Sequence, residues 1–193
     1  MFRSAGRAVP ARSLAAPGRR RPPSALRFFS IFAALFLSGF ALLLSPAARP
    51  LVTRFSSGLV NVSASLIRVC GGRAKVEGET GTILREPVHG SGVEMKDGCN
   101  GVNVTILLWA AVLAFPASWM QKAKGLLAGS LAIQGINVVR FISLYYLLQY
   151  SRPLFDFAHE YLWESLIMLD ALVVFWLWVQ RVFRSVAAHS APA

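Results

Sequence analysis

Acidic residues are scarce in this chain. Nine Asp and Glu stand against 20 Lys and Arg, for a net charge of +11. Cysteine is scarcer, with two, and the three histidines lie far apart. No CxxC pair is present, so no tetrahedral metal site can be read from ligand spacing, and no metal or cofactor is expected. The segment FFSIFAALFLSGFALLL lacks a polar face altogether, which excludes a helix of a soluble bundle. A basic excess suits nucleic acid, but basic residues are not interleaved with aromatics as a binding groove requires. No nucleic-acid partner is expected.

What is present is apolar surface. Of 193 residues 55% are hydrophobic, and the mean hydropathy is +0.52, too high for an ordinary soluble fold. Four stretches, 28–44, 101–119, 125–149 and 161–180, approach or exceed the ~20 residues that cross a ~30 Å hydrocarbon core as a helix. The third is interrupted by Gln134, Asn137 and Arg140. The expected fold is an all-α integral membrane protein with about four transmembrane helices. A single membrane domain, 28–193, follows a basic tail, 1–27.

Charge placement orients the spans. The tail holds seven arginines and no acid, Lys122 and Lys124 lie between the second and third spans, and Arg181 and Arg184 follow the fourth. Positive segments stay inside, which puts both termini in the cytoplasm. The segments 45–98 and 150–160 carry eight basic and seven acidic residues and fall outside. The first 24 residues, rich in Arg, Ala, Ser and Pro, read as disordered and also resemble an organellar transit peptide. The first span, with SPAA after it, has the outline of a cleaved signal. Its 17 apolar residues are too many for the usual signal core, and an uncleaved anchor is the better reading.

Within 45–98, the residues Leu51, Phe55, Leu59, Val62, Leu66 and Val69 recur at helical spacing. They predict an interfacial helix against the bilayer or the bundle. The glycine-dense run that follows has two short β-prone pieces, TIL and VEM, and predicts a small hairpin-like cap.

Cys99 lies where the aqueous loop KDG meets an apolar span. With Cys70 also outside, the plain reading is a disulfide. The alternative is a nucleophile, for which Cys70 must be free of it. Cys70 ends the amphipathic stretch on its apolar side and is expected to be buried. His159, just before the fourth span, comes to the same surface as Cys99 and would serve as a base. A histidine at a helix start also serves as an interfacial anchor. Arg140 inside the third span is costly there and marks function. Taking that span to end near Leu148 puts it ~12 Å below the outer surface, level with Asp170 on the fourth span. A buried Arg140–Asp170 ion pair that fixes helix packing is the competing reading.

Cys99-Asn100-Gly101 opening a span, Asn137-Val138-Val139-Arg140 in the next, and His159 before the last form an ordered trio of motifs. In these the chain resembles the exosortase and archaeosortase family of membrane cysteine transpeptidases, in a short form similar to exosortase H. The motif-bearing region is 93–181, and Asn100 stands where Ser is frequent. The resemblance implies catalytic Cys99, Arg140 and His159, supported by Asn137, Asp170 and Asn100. It implies a multi-pass protein of the inner (cytoplasmic) membrane with its site on the extracytoplasmic face. Its partners would be exported proteins with a C-terminal sorting tail: a short motif, a transmembrane helix and a basic cluster. Two other classes fit less of the sequence. A small transporter or channel would use Arg140 and Asp170 but leave Cys99 and His159 idle, and an envelope assembly protein would use none of them.

The charge asymmetry generates a topology prediction. A membrane-impermeant thiol reagent added outside should label a cysteine introduced near Lys75 and spare one introduced near Lys122. The opposite pattern would sink the orientation.

Overall fold

The computed structural model describes residues 25–88, 90–96 and 98–190, with side chains to residue 185. The expected tail therefore lies outside the described residues up to position 24. Helix α1 (Ala25–Leu44) is followed by α2 (Arg49–Val69), three short strands, α3 (Val102–Ala114) and α4 (Trp119–Tyr150). The chain ends in α5 (Arg152–Phe157), a π turn (Ala158–Leu162) and α6 (Trp163–Ser190). Three helical segments are long and apolar enough to cross a membrane: Ala25–Leu44, Trp119–Tyr150 and Arg152–Ser185. The fourth expected span is the shorter apolar helix α3.

Two layers are distinguishable. In the lower one, Leu108, Val112, Ile133, Ile167, Ala171, Trp178 and Val182 of α3, α4 and α6 form one core. Helix α1 buries none of its residues and leans on α3 alone among its strongest contacts. Gly39 permits that approach, since a Cβ there would lie 2.9 Å from Ile106 Cγ2. Phe28, Phe32, Phe36 and Phe40 stack at successive i,i+4 positions along α1, with centroids 6.0 to 6.2 Å apart.

Helix α3 stops early for a local reason. Phe115 precedes Pro116 and is extended (φ −71°, ψ 140°), the conformation that a following proline imposes. The expected span 101–119 is cut to 13 residues, ~20 Å of rise. Ser118 then caps α4 in a reciprocal box with Gln121. Lys122 Nζ donates to Leu113 O at 2.6 Å, satisfying a carbonyl at the end of α3.

The upper layer is the cap. Strands β1 (Lys75–Glu77), β2 (Ile83–Arg85) and β3 (Gly92–Glu94) form an antiparallel meander, one strand more than the hairpin expected. The added strand, β1, is fixed by the Arg85 Nε–Glu77 Oε2 bridge of 2.7 Å. Leu84 and Val93, paired across β2 and β3, turn inward on Val60, Ala64 and Ile67 of α2 and Phe141 and Tyr145 of α4. Helix α2 presents Ser56, Leu59, Val60, Ser63, Ala64 and Ile67 to the protein. Of the apolar stripe that predicted the helix, only Leu59 is buried; Leu51, Phe55, Val62, Leu66 and Val69 remain exposed. In a membrane protein such a stripe is the face offered to lipid. Gly71 (φ 84°) ends α2 in a Schellman motif, with Gly72 N donating to Ile67 O and Gly71 N to Arg68 O.

Small residues on α4 set its distance from its neighbours. A Cβ on Gly125 would fall 2.3 Å from Trp178 Nε1, whose indole is held by Gln121 O and packed against Phe115. One on Gly135 would meet nothing within 4 Å. Gly125→Ala should therefore lower the unfolding midpoint in detergent by the equivalent of ~1–3 kcal/mol of overpacking. Gly135→Ala should be neutral or stabilising by up to ~1 kcal/mol, since it removes a helix-interior glycine. Equal midpoints for the two variants would refute this account of the α4–α6 contact.

Candidate active site

The loop that carries Cys99 is built from two glycines and an asparagine. Gly98 (φ 91°) and Gly101 (φ 72°) occupy left-handed backbone on either side of it, and Cys99 N donates to Lys96 O at 3.0 Å. Asn100 is 1% exposed. Its Oδ1 accepts from Val102 N at 3.1 Å in the first turn of α3, and its Nδ2 donates to Ser56 Oγ of α2 at 3.0 Å. The asparagine thereby fixes where α3 begins and where the loop sits.

His159 approaches from the other side. It lies in the π turn inside a helix that continues on both sides, not before a helix start as the sequence suggested. The wider turn is stable here because Trp163 N reaches Ala158 O across five residues. The imidazole stacks on Phe155 with centroids 5.7 Å apart. Its Nε2 is 3.9 Å from Cys99 Sγ, within contact range for a sulfur hydrogen bond, across 60 residues of sequence.

Asn137 and Arg140 of α4 line the same cleft, with Val93, Glu94, Phe141 and Leu144. The cleft has about 10 Å³ of open room, about one water's worth. Arg140 is 3% exposed. Its Nη2 lies 3.8 Å from Glu164 Oε2, an ion pair too long for a hydrogen bond, with Glu164 largely exposed.

The expected Arg140–Asp170 pair is not formed. Asp170 does not line this cleft, and its Oδ2 has no hydrogen-bond partner among the described residues. Asp170 lies six residues beyond Glu164 on α6, nearly two turns away, so the earlier acid takes the guanidinium. Phe141 and Tyr145 pack into the cap, and the Tyr145 hydroxyl donates to Arg73 O. The upper third of α4 thus also holds the cap. Gly101 lies against Asn137 and Gln134, and Leu43 and Leu44 at the end of α1 share a cleft with Gly98, Asn100 and Asn103. The site is thus level with the end of α1, with Arg140 one turn higher.

Cys70 and Cys99 are both free thiols, and Cys70 is exposed at the end of α2, contrary to the burial expected. The helix ends before Cys70 can turn toward the cap. Ser56 and Glu164 were not singled out from sequence. Ser56 gave no signal among the serines of α2. Glu164 gave a weak one, as an acid at the head of an apolar run five residues after His159.

The model of the transmembrane exosortases (Exosortase_EpsH) matches residues 24–177, or 154 of the 193. No curated protein and no solved structure matches the chain. The matched region runs from the start of α1 into the second half of α6 and takes in every residue of the cleft. With its three membrane-length helices, the chain is a multi-pass membrane protein and belongs to the transmembrane exosortase family.

Proposed function

We propose that the protein is a membrane cysteine transpeptidase or protease that removes the C-terminal sorting tail of exported proteins. The observation that carries this reading is the approach of Cys99 Sγ to His159 Nε2 at 3.9 Å, beside the buried Arg140. His159 takes the thiol proton, and the thiolate attacks the scissile carbonyl. The tetrahedral intermediate collapses to a thioester on Cys99. The amine of the departing tail takes its proton from His159. An amine or a water then attacks the thioester and frees the enzyme. Arg140 offers planar donors to the substrate's carbonyl oxygen. Asn100 supports the site by anchoring its loop, and Asn137 lines it. Asp170 lies apart from the cleft, and no role in the reaction is assigned to it.

The site belongs at the extracytoplasmic face of the inner (cytoplasmic) membrane. There the substrate's own helix packs beside the enzyme's spans, its basic cluster on the cytoplasmic side. The small residues Gly125 and Gly129 of α4 are already filled by Trp178 and Leu108 of the enzyme itself. Gly135 stays open, and it is the place where a foreign helix comes closest.

Co-expression with a reporter ending in a sorting tail from the same cell tests the reaction. Cys99→Ala should abolish cleavage, whereas Cys70→Ser should leave it largely intact, since Cys70 is exposed and unbonded. Equal loss in both would contradict the nucleophile. Arg140→Lys keeps the charge but not the planar fork. Cleavage per enzyme molecule should fall roughly 100- to 1,000-fold, the equivalent of ~2.7–4 kcal/mol. A near wild-type rate for this variant would remove Arg140 from the reaction.

A further inference from the structure

Asn137 is the buried polar side chain with the least to hold it. It is 1% exposed, yet neither Nδ2 nor Oδ1 has a hydrogen-bond partner among the described residues. Buried amides are nearly always paired, and an unpaired one destabilises the fold. Its surroundings explain where it is aimed. It lines the cleft of Cys99, Arg140 and His159. A Cβ on Gly101, two residues from the thiol, would fall 3.4 Å from both Asn137 Cγ and Nδ2. The carboxamide thus lies in contact range of the Cys99 loop. Of the neighbouring polar groups, Asn100 uses both ends of its amide, and Gln134 donates through Nε2 to Thr105 Oγ1 while its Oε1, an acceptor only, is also without a partner among the described residues.

We propose that Asn137 is a catalytic residue whose Nδ2–H₂ donates to the oxyanion formed when Cys99 is acylated, as a second donor beside Arg140. The inference rests on the nucleophile reading given above. When the thiolate sulfur bonds to a carbonyl carbon, the π pair moves onto oxygen and a full negative charge develops there. A fixed amide donor in a dry cleft stabilises that charge without reorganising, and its missing partner is the oxyanion itself. The same donor has nothing to offer a reaction at Cys99 that develops no oxyanion.

That difference gives the test. In a Cys70→Ser background, Cys99 is acylated with p-nitrophenyl acetate and, separately, alkylated with iodoacetamide, in purified full-length enzyme. Acylation forms the S–C(O) bond and expels p-nitrophenolate through a tetrahedral oxyanion. Alkylation displaces iodide directly and forms none. Asn137→Ala should slow acylation by roughly 100-fold and leave alkylation within about two-fold of the parent. Asn137→Leu, which keeps the size and loses the donor without adding charge, should do the same. The unfolding midpoint of Asn137→Ala should not drop by more than a small cavity costs, since no hydrogen bond is lost.

Unchanged acylation overturns the proposal. So does equal slowing of both reactions, which would assign Asn137 to holding the loop or the thiol. The wider reading fails separately. If Cys99 is acylated in an Asn137-dependent way but the tailed reporter stays uncut, the donor stands and the assigned substrate does not.

Discussion

Asn100 ties α2, which carries the cap, to the start of α3 in the layer below. One end of its amide holds Ser56 on the outer helix α2, and the other starts the membrane helix α3. Between these anchors hangs a loop with a left-handed glycine on each side of Cys99. Glycine gives the loop its shape but no stiffness. The two hydrogen bonds supply the stiffness, and they act in a buried setting where an amide without partners is unfavourable. The place of the thiol relative to His159, which arrives on a different helix, follows from this fixture.

Buried polar groups fall into two kinds here. Asn100, Ser56 and Ser63 are satisfied, the last by Leu59 O within its own helix. They belong to the scaffold. Asn137 and Arg140 are also buried, but among the described residues the Asn137 amide has no hydrogen-bond partner, and Arg140 faces Glu164 only loosely. A fold under selection for stability alone would not keep this pair in one cleft. Such local violations of polar satisfaction gather where a protein reserves donors for something it binds.

Much of this was legible in the sequence. Apolar runs disclosed the membrane fold, because length and hydropathy act locally. The motif residues Cys99, Asn137, Arg140 and His159 were all picked out, and all line one cleft. What failed depended on contacts between distant segments. The run 125–149 is one continuous helix, as read, but that its end also packs against strands, weak signals on their own, could not be seen from it. Pro116 gave the end of α3 away, although the hydropathy of 101–119 masked it. The partner of Arg140 is set by how α4 and α6 lie against each other, which no spacing within either helix encodes. The stripe on α2 announced a helix and left open whether bilayer or bundle would cover it; all of it but Leu59 stays exposed, since apolar residues in a membrane protein need not turn inward.

Helix α1 has 20 residues, ~30 Å, and its upper end lies beside the Cys99 loop, while α4 continues 13 residues past Asn137. The bilayer thereby becomes a ruler. With α1 taken as the hydrocarbon thickness, the thiol stands at one boundary of it and the cap is carried beyond on the mast of α4. On the proposed function, a substrate that crosses the same bilayer beside these helices leaves the hydrocarbon at the height of the thiol. The bonds within a residue or two of its exit point come into reach, and bonds farther along do not. Selection of the bond is then partly a matter of altitude, and a thicker or thinner membrane shifts the scale against which it is read.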